Sequence, residues 1–405
     1  MATCTKFFES REMSFQYMNE SKLNAPNQID WLTKVVLKLP SEARSSLRID
    51  ALPLVGFTDV RHMSYGNQDR IAAAYRVCDD PEDSWLLAVV CDGVGGSANG
   101  ERAAALTVAS LAVDLSTVRR RRGAANILKD LLHRAHIRTS AAFNSKSSTT
   151  AVACLISGGS AVIGWVGDSR AYQISDGEAT QLTIDDTLAS AIAKTDSKFA
   201  LELNEEYGER LSQAVGGDSN LVANVIEWLP SSEEAFCILC SDGVWKPVQP
   251  VLEAVVGACS DGQELMRRLL ILSDWTGGHD NASAIMLPPF HIALKFLNNT
   301  ANATPDGCFV LSLPGNQSIV MSDGASKWPM HGEREFSTGV QHATETSNSK
   351  SPARKSSSKR KGSGSTAEKG KSRPDAGSQL VIAEEPTNDE STSTTNALQS
   401  DEPRK

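Results

Sequence analysis

An apolar run that stops abruptly in an acidic, glycine-rich segment constrains the fold of this 405-residue chain more than any other feature. Residues 85–91, WLLAVVC, have the continuous hydrophobicity of a buried strand, and DGVGG follows at 92–96. Aspartate and glycine are poor strand residues, so we expect the strand to end before Asp92. Two interpretations of Asp92 are open at this point: an ordinary Asp-Gly hairpin turn, or a carboxylate with a chemical role.

Other apolar runs predict a mixed α and β architecture. Helices are predicted for the block ERAAALTVASLAVDL at 101–115 and for a second block at 124–143. Strands in two sets, separated by these helices, indicate that sheets and helices pack in layers. The further runs that predict strands are 51–57, 151–156, 161–166 and 235–240.

Composition restricts the class of protein. With 40% hydrophobic residues the chain can build a large core, and its first 300 residues look globular. No apolar stretch approaches the ~20 residues of a transmembrane helix, and the first 20 residues lack the layout of a secretory signal. We therefore expect a cytoplasmic protein. The formal net charge of −9 argues against a general nucleic-acid binder.

The eight cysteines are interpreted as reduced core residues. Several lie within apolar runs, such as Cys91 in LAVVC. Cys237 and Cys240 form a C-x-x-C pair, but their spacing on a strand would direct them to opposite faces. A structural zinc site needs four ligands and the sequence has no second pair, so zinc is not expected.

Shifts in composition suggest four regions. Residues 1–45 form an extension with one amphipathic helix, for which packing on its own domain is preferred over binding a partner. Residues 46–290 form the main domain, and residues 291–340 predict a small β appendage with a hairpin turn at Asp323. Residues 341–405 predict a disordered charged tail. The helix in the extension is indicated by Ile29, Leu32, Val36 and Leu39.

Two charged segments each have a plain interpretation and a functional one. The arginine run at 119–122 is interpreted as solvated charge near a helix C-terminus rather than as a phosphate-binding patch. In the tail, residues 350–373 carry nine Lys and Arg against the single Glu368. We prefer a solubilising linker there over a surface that binds acidic partners.

Three acidic residues at other predicted strand ends resemble Asp92. Asp168, Asp242 and Asp280 each follow an apolar run or a glycine pair. Carboxylates that gather at strand ends repel one another unless a cation lies among them. An all-oxygen site without paired His or Cys selects Mg²⁺ or Mn²⁺ rather than zinc. Glycine permits close backbone approach, so the carbonyl of Gly93 is a candidate ligand as well.

In order and approximate spacing, these motifs resemble those of the metal-dependent serine/threonine protein phosphatases of the PPM, or PP2C, type in their bacterial form. The resemblance covers residues from about 50 to 290. It implies an α+β fold: a four-layer αββα sandwich of two antiparallel sheets flanked by helices, with metals bound at one end between the sheets. It rests on Arg61 with Asn67 and Asp69, DGVGG at 92–96 with Gly100-Glu101, TTAVACL at 149–155, VGDSRAY at 166–172, LTIDDT at 182–187, SQAVGG at 212–217, CSDGVW at 240–245 and GGHDN at 277–281.

The resemblance implies two divalent metals, Mn²⁺ or Mg²⁺, and a weaker third. Asp92 is similar to the carboxylate that bridges two metals, and Asp168 with Asp242 is similar to the pair that holds the third. The metal ligands implied in this way are Asp69, Asp92, Gly93 through its carbonyl, Asp168, Asp242 and Asp280.

The implied reaction is hydrolysis of phosphoserine and phosphothreonine in proteins. Arg61 resembles a phosphate clamp, whose planar guanidinium suits two phosphate oxygens. A water between metals roughly 3.5–4 Å apart would attack phosphorus directly, without a phosphoenzyme. Arg61, Asp92 and Asp242 are the implied catalytic residues, and Gln68 and Asn281 are expected beside the ligands. The implied partners are substrates of serine/threonine kinases, and a monomer is expected.

Departures from the family pattern keep a second function open. Gln68 stands where the family usually has Glu, which removes a negative charge from a water-mediated metal contact. Val94 and Ser97 stand where many members carry a histidine, so no general acid is supplied locally. The neighbouring His62 is expected to be structural. The alternative to an active phosphatase is therefore a phosphoprotein-binding pseudophosphatase of the same fold, and a third hypothesis is an interaction protein tethered by its basic tail.

Overall fold

The structure is a computed structural model that describes residues 25–38, 44–49, 51–61, 66–94, 99–118, 123–193, 208–218, 220–305 and 307–322. These residues all belong to one unit, Met1–Gly332. Several sequence predictions concern residues outside the described ranges. They concern His62, Ser97, the arginine run at 119–122, Asp323 and the tail at 341–405.

Two antiparallel sheets form the centre of the fold. The first contains, in spatial order, β1 (Ser45–Ile49), β2 (Leu54–Asp59), β11 (Ala282–Leu287), β10 (Phe236–Cys240), β7 (Arg170–Ser175) and β8 (Glu178–Gln181). The second contains β13 (Gln317–Ser322), β12 (Cys308–Leu313), β3 (Arg70–Arg76), β4 (Trp85–Cys91), β5 (Ala151–Ser157), β6 (Ser160–Val166) and β9 (Asn224–Glu227).

Helices cover the outer faces of both sheets. The second sheet is covered by α1 (Ala25–Leu37), α2 (Gly100–Thr117) and α3 (Ala124–Phe143). The first is covered by α5 (Asp242–Val248), α6 (Leu252–Gly257) and α7 (Gly262–Trp275). Two further helices are α4 (Leu188–Ala193) and α8 (Phe290–Leu297), of which α8 packs against the core between the sheets. The predicted αββα sandwich is therefore confirmed.

Strand β4 shows why the sequence is continuously apolar at 85–91. Leu86, Ala88 and Val90 pack into the core between the two sheets, whereas Leu87 and Val89 pack under the helices of the second sheet. A strand that is covered on both faces needs hydrophobic residues at every position. The C-x-x-C pair in β10 follows the same alternation, since Cys237 faces the inter-sheet core and Cys240 faces the helical layer.

The two ends of the described chain both pack onto this sandwich. Ile29, Leu32 and Val36 of α1 are buried in the core that α1 shares with α2, as the helical spacing predicted. Strands β12 and β13 form a hairpin, and β12 pairs with β3 so that Val310 lies opposite Tyr75. The hairpin thus extends the second sheet instead of forming a separate appendage, because pairing with β3 satisfies the backbone of that strand. The sandwich therefore continues past the boundary suggested at residue 290.

Among the described helices, not one combines the length and the apolar character that crossing a bilayer requires.

Candidate active site

Two acidic residues flank paired strands of the second sheet. Strand β4 ends at Cys91 and Asp92 follows it, whereas β3 begins at Arg70 and Asp69 precedes it. Arg70 lies opposite Cys91 in the antiparallel pair, so the two aspartates emerge side by side. Both are in step with the strand residues that face the core between the sheets. Their carboxyl groups therefore point into the gap at this edge of the sandwich.

The first sheet brings three more aspartates to the same edge. Asp242 follows β10 and starts α5, and Asp280 lies just before β11. Because β10 and β11 are antiparallel neighbours with Cys240 opposite Ala284, the end of one and the start of the other coincide. Asp168 lies in the turn between β6 and β7, and β7 pairs with β10. The sheets thus place Asp69, Asp92, Asp168, Asp242 and Asp280 at one edge.

Backbone hydrogen bonds show that Asp92 and Gly93 do not form a hairpin turn. The Asp92 carbonyl accepts from the Thr149 hydroxyl at 2.7 Å and from the Thr150 backbone N–H at 2.8 Å. A Cβ atom on Gly93 would lie 2.5 Å from the carbonyl carbon of Gly100, so only glycine fits at this close approach. Gly93 pairs with Thr149, and the Val94 N–H donates to the Ser148 carbonyl at 3.0 Å, so the chain continues past Asp92 and Gly93 without reversing. This excludes the ordinary Asp-Gly hairpin turn, and a chemical role for Asp92 stays a prediction.

Polar side chains hold the first aspartate and its neighbours in place. Oδ2 of Asp69 accepts from the Ser241 hydroxyl at 2.9 Å, which joins the two sheets. The Asn281 side chain accepts from the Gln68 backbone N–H at 2.7 Å and donates to the Val60 carbonyl at 2.8 Å. Gln68 and Asn281, which adjoin Asp69 and Asp280 in the chain, are therefore hydrogen-bonded to each other beside the acidic cluster.

The aspartates carry strongly perturbed pKa values. Burial raises the pKa of Asp69 to about 7. A hydrogen bond with Ser283 opposes this rise, and the negative charge of Asp280 increases it. Burial, followed by the charges of Asp69 and Asp242, raises the pKa of Asp92 well above its usual range. Carboxylates in such proximity are unstable without a cation among them.

The donor chemistry fits a hard divalent cation. Oδ1 of Asp69 and Oδ1 of Asp242 are buried without a hydrogen-bond partner, so both are free to act as ligands. The carboxyl groups of Asp92 and Asp242 approach closely enough to share a hydrogen bond when one is protonated. Within the described residues, no three Asp, Glu, His or Cys side chains are arranged to hold a metal by themselves. Mg²⁺ does not require this, because it keeps several waters and uses one or two carboxylates.

Arg61 does not occupy the position expected of a phosphate clamp. Its side chain is fully buried on the outer face of the first sheet, where Nη1 lies 3.2 Å from both Asp59 and Asp274. Nη2 donates to the Leu270 carbonyl at 3.0 Å and to the Ser273 hydroxyl. These partners on β2 and α7 hold the guanidinium away from solvent. The phosphate-binding and catalytic roles implied for Arg61 are therefore corrected to a structural role.

The backbone at Arg61 has an unusual conformation. Its φ angle is 58°, in the left-handed region that non-glycine residues rarely adopt. Sequence spacing cannot reveal this turn, and a left-handed residue directs its side chain differently from an extended one. The guanidinium consequently faces α7.

One cationic side chain beside the acidic cluster was missed from the sequence. Lys246 Nζ lies 2.9 Å from Oδ2 of Asp242 and 4.0 Å from Oδ2 of Asp168. The signal for it was present, because Lys246 follows Asp242 by four residues and such residues share a helix face. This spacing is informative only if the helix is known to begin at Asp242, as α5 does.

The chain was compared with known sequences. A sequence model of the family described as Protein phosphatase 2C matches residues 60–266, just over half of the chain. The serine/threonine protein phosphatase PstP of Mycobacterium tuberculosis is 30% identical over 212 residues, which cover 49% of this chain and 40% of PstP. The chain thus spans about two-fifths of the length of the curated relatives it matches.

Solved structures agree with the sandwich described above. The Stp1 serine/threonine phosphatase of Staphylococcus aureus matches with a TM-score of 0.51 at 21% identity, covering 58% of this chain and 94% of that chain. The S. agalactiae serine/threonine phosphatase matches with a TM-score of 0.50 at 21% identity, covering 59% of this chain and 99% of that chain. At this identity the likeness concerns the fold. Together with the sequence match over residues 60–266, it shows that the chain belongs to the protein phosphatase 2C family.

Proposed function

We propose that this domain hydrolyses phosphoserine and phosphothreonine in proteins with Mn²⁺ or Mg²⁺ bound at the acidic edge. The observation that carries the proposal is the convergence of aspartates from both sheets on one gap, with unpartnered Oδ1 atoms on Asp69 and Asp242. Membership of the protein phosphatase 2C family supports the reaction class. The proposed substrates are phosphoproteins made by serine/threonine kinases.

The proposed ligands come from both sheets. The charges of Asp69, Asp242 and Asp280 all act on Asp92, so Asp92 would be the carboxylate common to both ions of a pair. The carbonyl of Gly93, the residue that follows Asp92, is a further proposed ligand. When bound, a pair of divalent ions makes water a nucleophile at neutral pH and stabilises the attacking and leaving oxygens of an in-line displacement. The remaining proposed ligands are Asp69, Asp242 and Asp280.

Cys91, the cysteine beside the acidic cluster, is unsuited to form a covalent phosphoenzyme. Cys91, the thiol nearest in sequence to Asp92, packs under the helices of the second sheet. Burial, with the charge of Asp69 adding to it, raises the pKa of the Cys91 thiol above its usual value. A thiol nucleophile must be ionised and accessible, and Cys91 is neither. The nucleophile that we propose is water, without a phosphoenzyme.

Hydrolysis of a phosphothreonine peptide tests the proposal. The purified chain is assayed with Mn²⁺, with Mg²⁺ and with chelator, beside Asp242→Asn and Asp176→Asn. Asp176 lies in the β7–β8 turn with a φ of 54°, which asparagine tolerates, so the second variant is a matched control. We expect metal-dependent turnover in the wild type and in Asp176→Asn and background turnover in Asp242→Asn. A folded wild type without turnover in either metal would contradict the proposal.

A second function is favoured by two observations. Gln68 supplies no negative charge to the cluster, and the Arg61 guanidinium is committed to Asp59 and Asp274. A phosphoprotein-binding pseudophosphatase would follow if these changes prevent turnover. The same assay separates the two functions, because a pseudophosphatase would stay at background even at high Mn²⁺.

A further inference from the structure

Lys246 lies at the meeting point of three carboxylates from three segments. It is on α5, four residues after Asp242, and its Nζ is 2.9 Å from Oδ2 of that residue. The same Nζ is 3.4 Å from Oε2 of Glu209 and 4.0 Å from Oδ2 of Asp168. The lysine side chain is 36% exposed, so it borders solvent while facing the cluster. One ammonium group therefore lies within 4.0 Å of three carboxylates from separate parts of the sequence.

The two oxygens of Asp242 are divided between different neighbours. Oδ2 accepts the hydrogen bond from Lys246, whereas Oδ1 is buried and has no hydrogen-bond partner. The unpartnered oxygen is available to a metal bound with Asp92. The bonded oxygen shares its ammonium partner with Oδ2 of Asp168, which lies 4.0 Å from the same Nζ. One oxygen of Asp242 therefore has a cationic partner and the other has none.

The position of Lys246 relative to Asp168 is fixed by the preceding residue. Trp245 Nε1 donates to the backbone carbonyl of Asp168 at 3.0 Å, which ties the β6–β7 turn to α5. The Arg170 guanidinium packs over the Trp245 ring, 3.2 Å from its centroid. Because Trp245 is held on both sides, the lysine is presented to the Asp168–Asp242 pair by a rigid support.

Electrostatics keep Lys246 charged. Burial opposes its charge, but the carboxylates of Asp242, Asp168 and Glu209 outweigh burial and raise the pKa of the ammonium above its usual value. Its Nζ lies 2.9 Å from Oδ2 of Asp242 and 4.0 Å from Oδ2 of Asp168, so the lysine is the countercharge of this pair.

We propose that the Lys246 ammonium is a built-in cation for the Asp168–Asp242 pair, so that no divalent ion binds between these two residues. The inference rests on the proposed function, since it concerns the metal count of the same site. It replaces the weaker third metal that the family resemblance implied. A second positive charge at this place would meet the ammonium at short range, and like charges there repel.

Mn²⁺ binding to the full chain tests this inference without measuring turnover. Free Mn²⁺ is followed by electron paramagnetic resonance during titration of the wild type, Lys246→Met, Lys246→Arg and Lys34→Met. Lys34 is a matched control, because it pairs with Asp30 at 2.7 Å with the same four-residue spacing on α1. Thermal melts establish that each variant is folded, and Lys246→Arg keeps the charge if Lys246→Met does not fold.

We expect Lys246→Met to bind one more Mn²⁺ per chain than the wild type, and Lys246→Arg and Lys34→Met to bind as the wild type does. Equal binding by wild type and Lys246→Met would overturn the inference, as would an extra ion in Lys246→Arg. A wild type that binds no Mn²⁺ beside a Lys246→Met variant that binds one would support the lysine inference but contradict the proposed metal site. Absence of Mn²⁺ from both would contradict both.

Discussion

Replacing Arg61 with methionine separates a structural role from phosphate binding. Removing one partner of a buried ion pair costs about 3–5 kcal/mol. For Arg61→Met we expect a loss of unfolding free energy at the low end of this range, about 3 kcal/mol. Asp59 still has Arg44 as a partner at 2.6 Å, and the Asp274 side chain is 40% exposed, so water can solvate it. Urea unfolding measures this loss. The Michaelis constant for a phosphate ester is expected to stay within about threefold of wild type, a change of less than 1 kcal/mol.

Two further substitutions sharpen this test. Arg61→Gly and Arg61→Ala both remove the guanidinium, but only glycine relieves the left-handed backbone at φ 58°. The glycine variant is therefore expected to be about 1 kcal/mol more stable than the alanine variant. Arg48→Met, at an exposed position of β1, is expected to change stability by less than about 0.5 kcal/mol. Wild-type stability of Arg61→Met combined with a tenfold higher Michaelis constant would refute the structural role.

Three other predictions concern stability, the site and pH. Leu32→Ala is expected to lower the free energy of unfolding by about 2–5 kcal/mol in urea titrations, because Leu32 is fully buried in α1; an unchanged midpoint would mean that α1 does not pack as described. Gly243→Ala is expected to reduce Mn²⁺-dependent turnover strongly, since its Cβ would overlap the Asn281 carbonyl; wild-type turnover would contradict this. The pKa of Asp69 is raised from about 4 in the unfolded chain to about 7 in the folded state. Between about pH 4 and pH 7, the metal-free folded state therefore binds more protons than the unfolded chain does. Its stability, measured by urea unfolding at each pH, is expected to fall as pH rises from about 4 to 7 and to level off above; a rise would contradict the account.

The elements that the sequence predicted well are those with strong local patterns. Strand β4 was predicted at its observed bounds, because seven apolar residues are followed by Asp-Gly. Helix α3 was also predicted close to its observed bounds; in the structure Gly123 precedes it and Asn144 ends it in a left-handed conformation. Strand β3 was not predicted, because its central alanines favour a helix as much as a strand and only pairing with β4 decides between them.

In the candidate site too, residues with a local sequence signal were predicted, and residues whose positions depend on contacts between distant segments were not. Asp92, Asp168, Asp242 and Asp280 were predicted because each follows an apolar run or a glycine pair, whereas Asp69 was implied only by the family resemblance. In the structure each of the five lies within two residues of a strand, and the antiparallel pairing brings the strand ends together. Arg61 was misassigned because the direction of its side chain depends on a left-handed turn and on Asp274, which lies far along the chain. The partnership of Lys246 with Asp168 and Glu209 also depends on contacts between distant segments. Such contacts leave no periodic pattern in the sequence.

The most direct test of the central claim is the anomalous scattering of Mn²⁺ in a crystal of this protein. The account predicts manganese peaks at coordination distance from Asp92, on the side of the unpartnered Oδ1 atoms of Asp69 and Asp242. It also predicts no peak between Asp168 and Asp242, where the Lys246 ammonium lies. A crystal grown with saturating Mn²⁺ that shows no manganese within coordination distance of Asp92 would contradict the claim that this edge of the sandwich is a metal site.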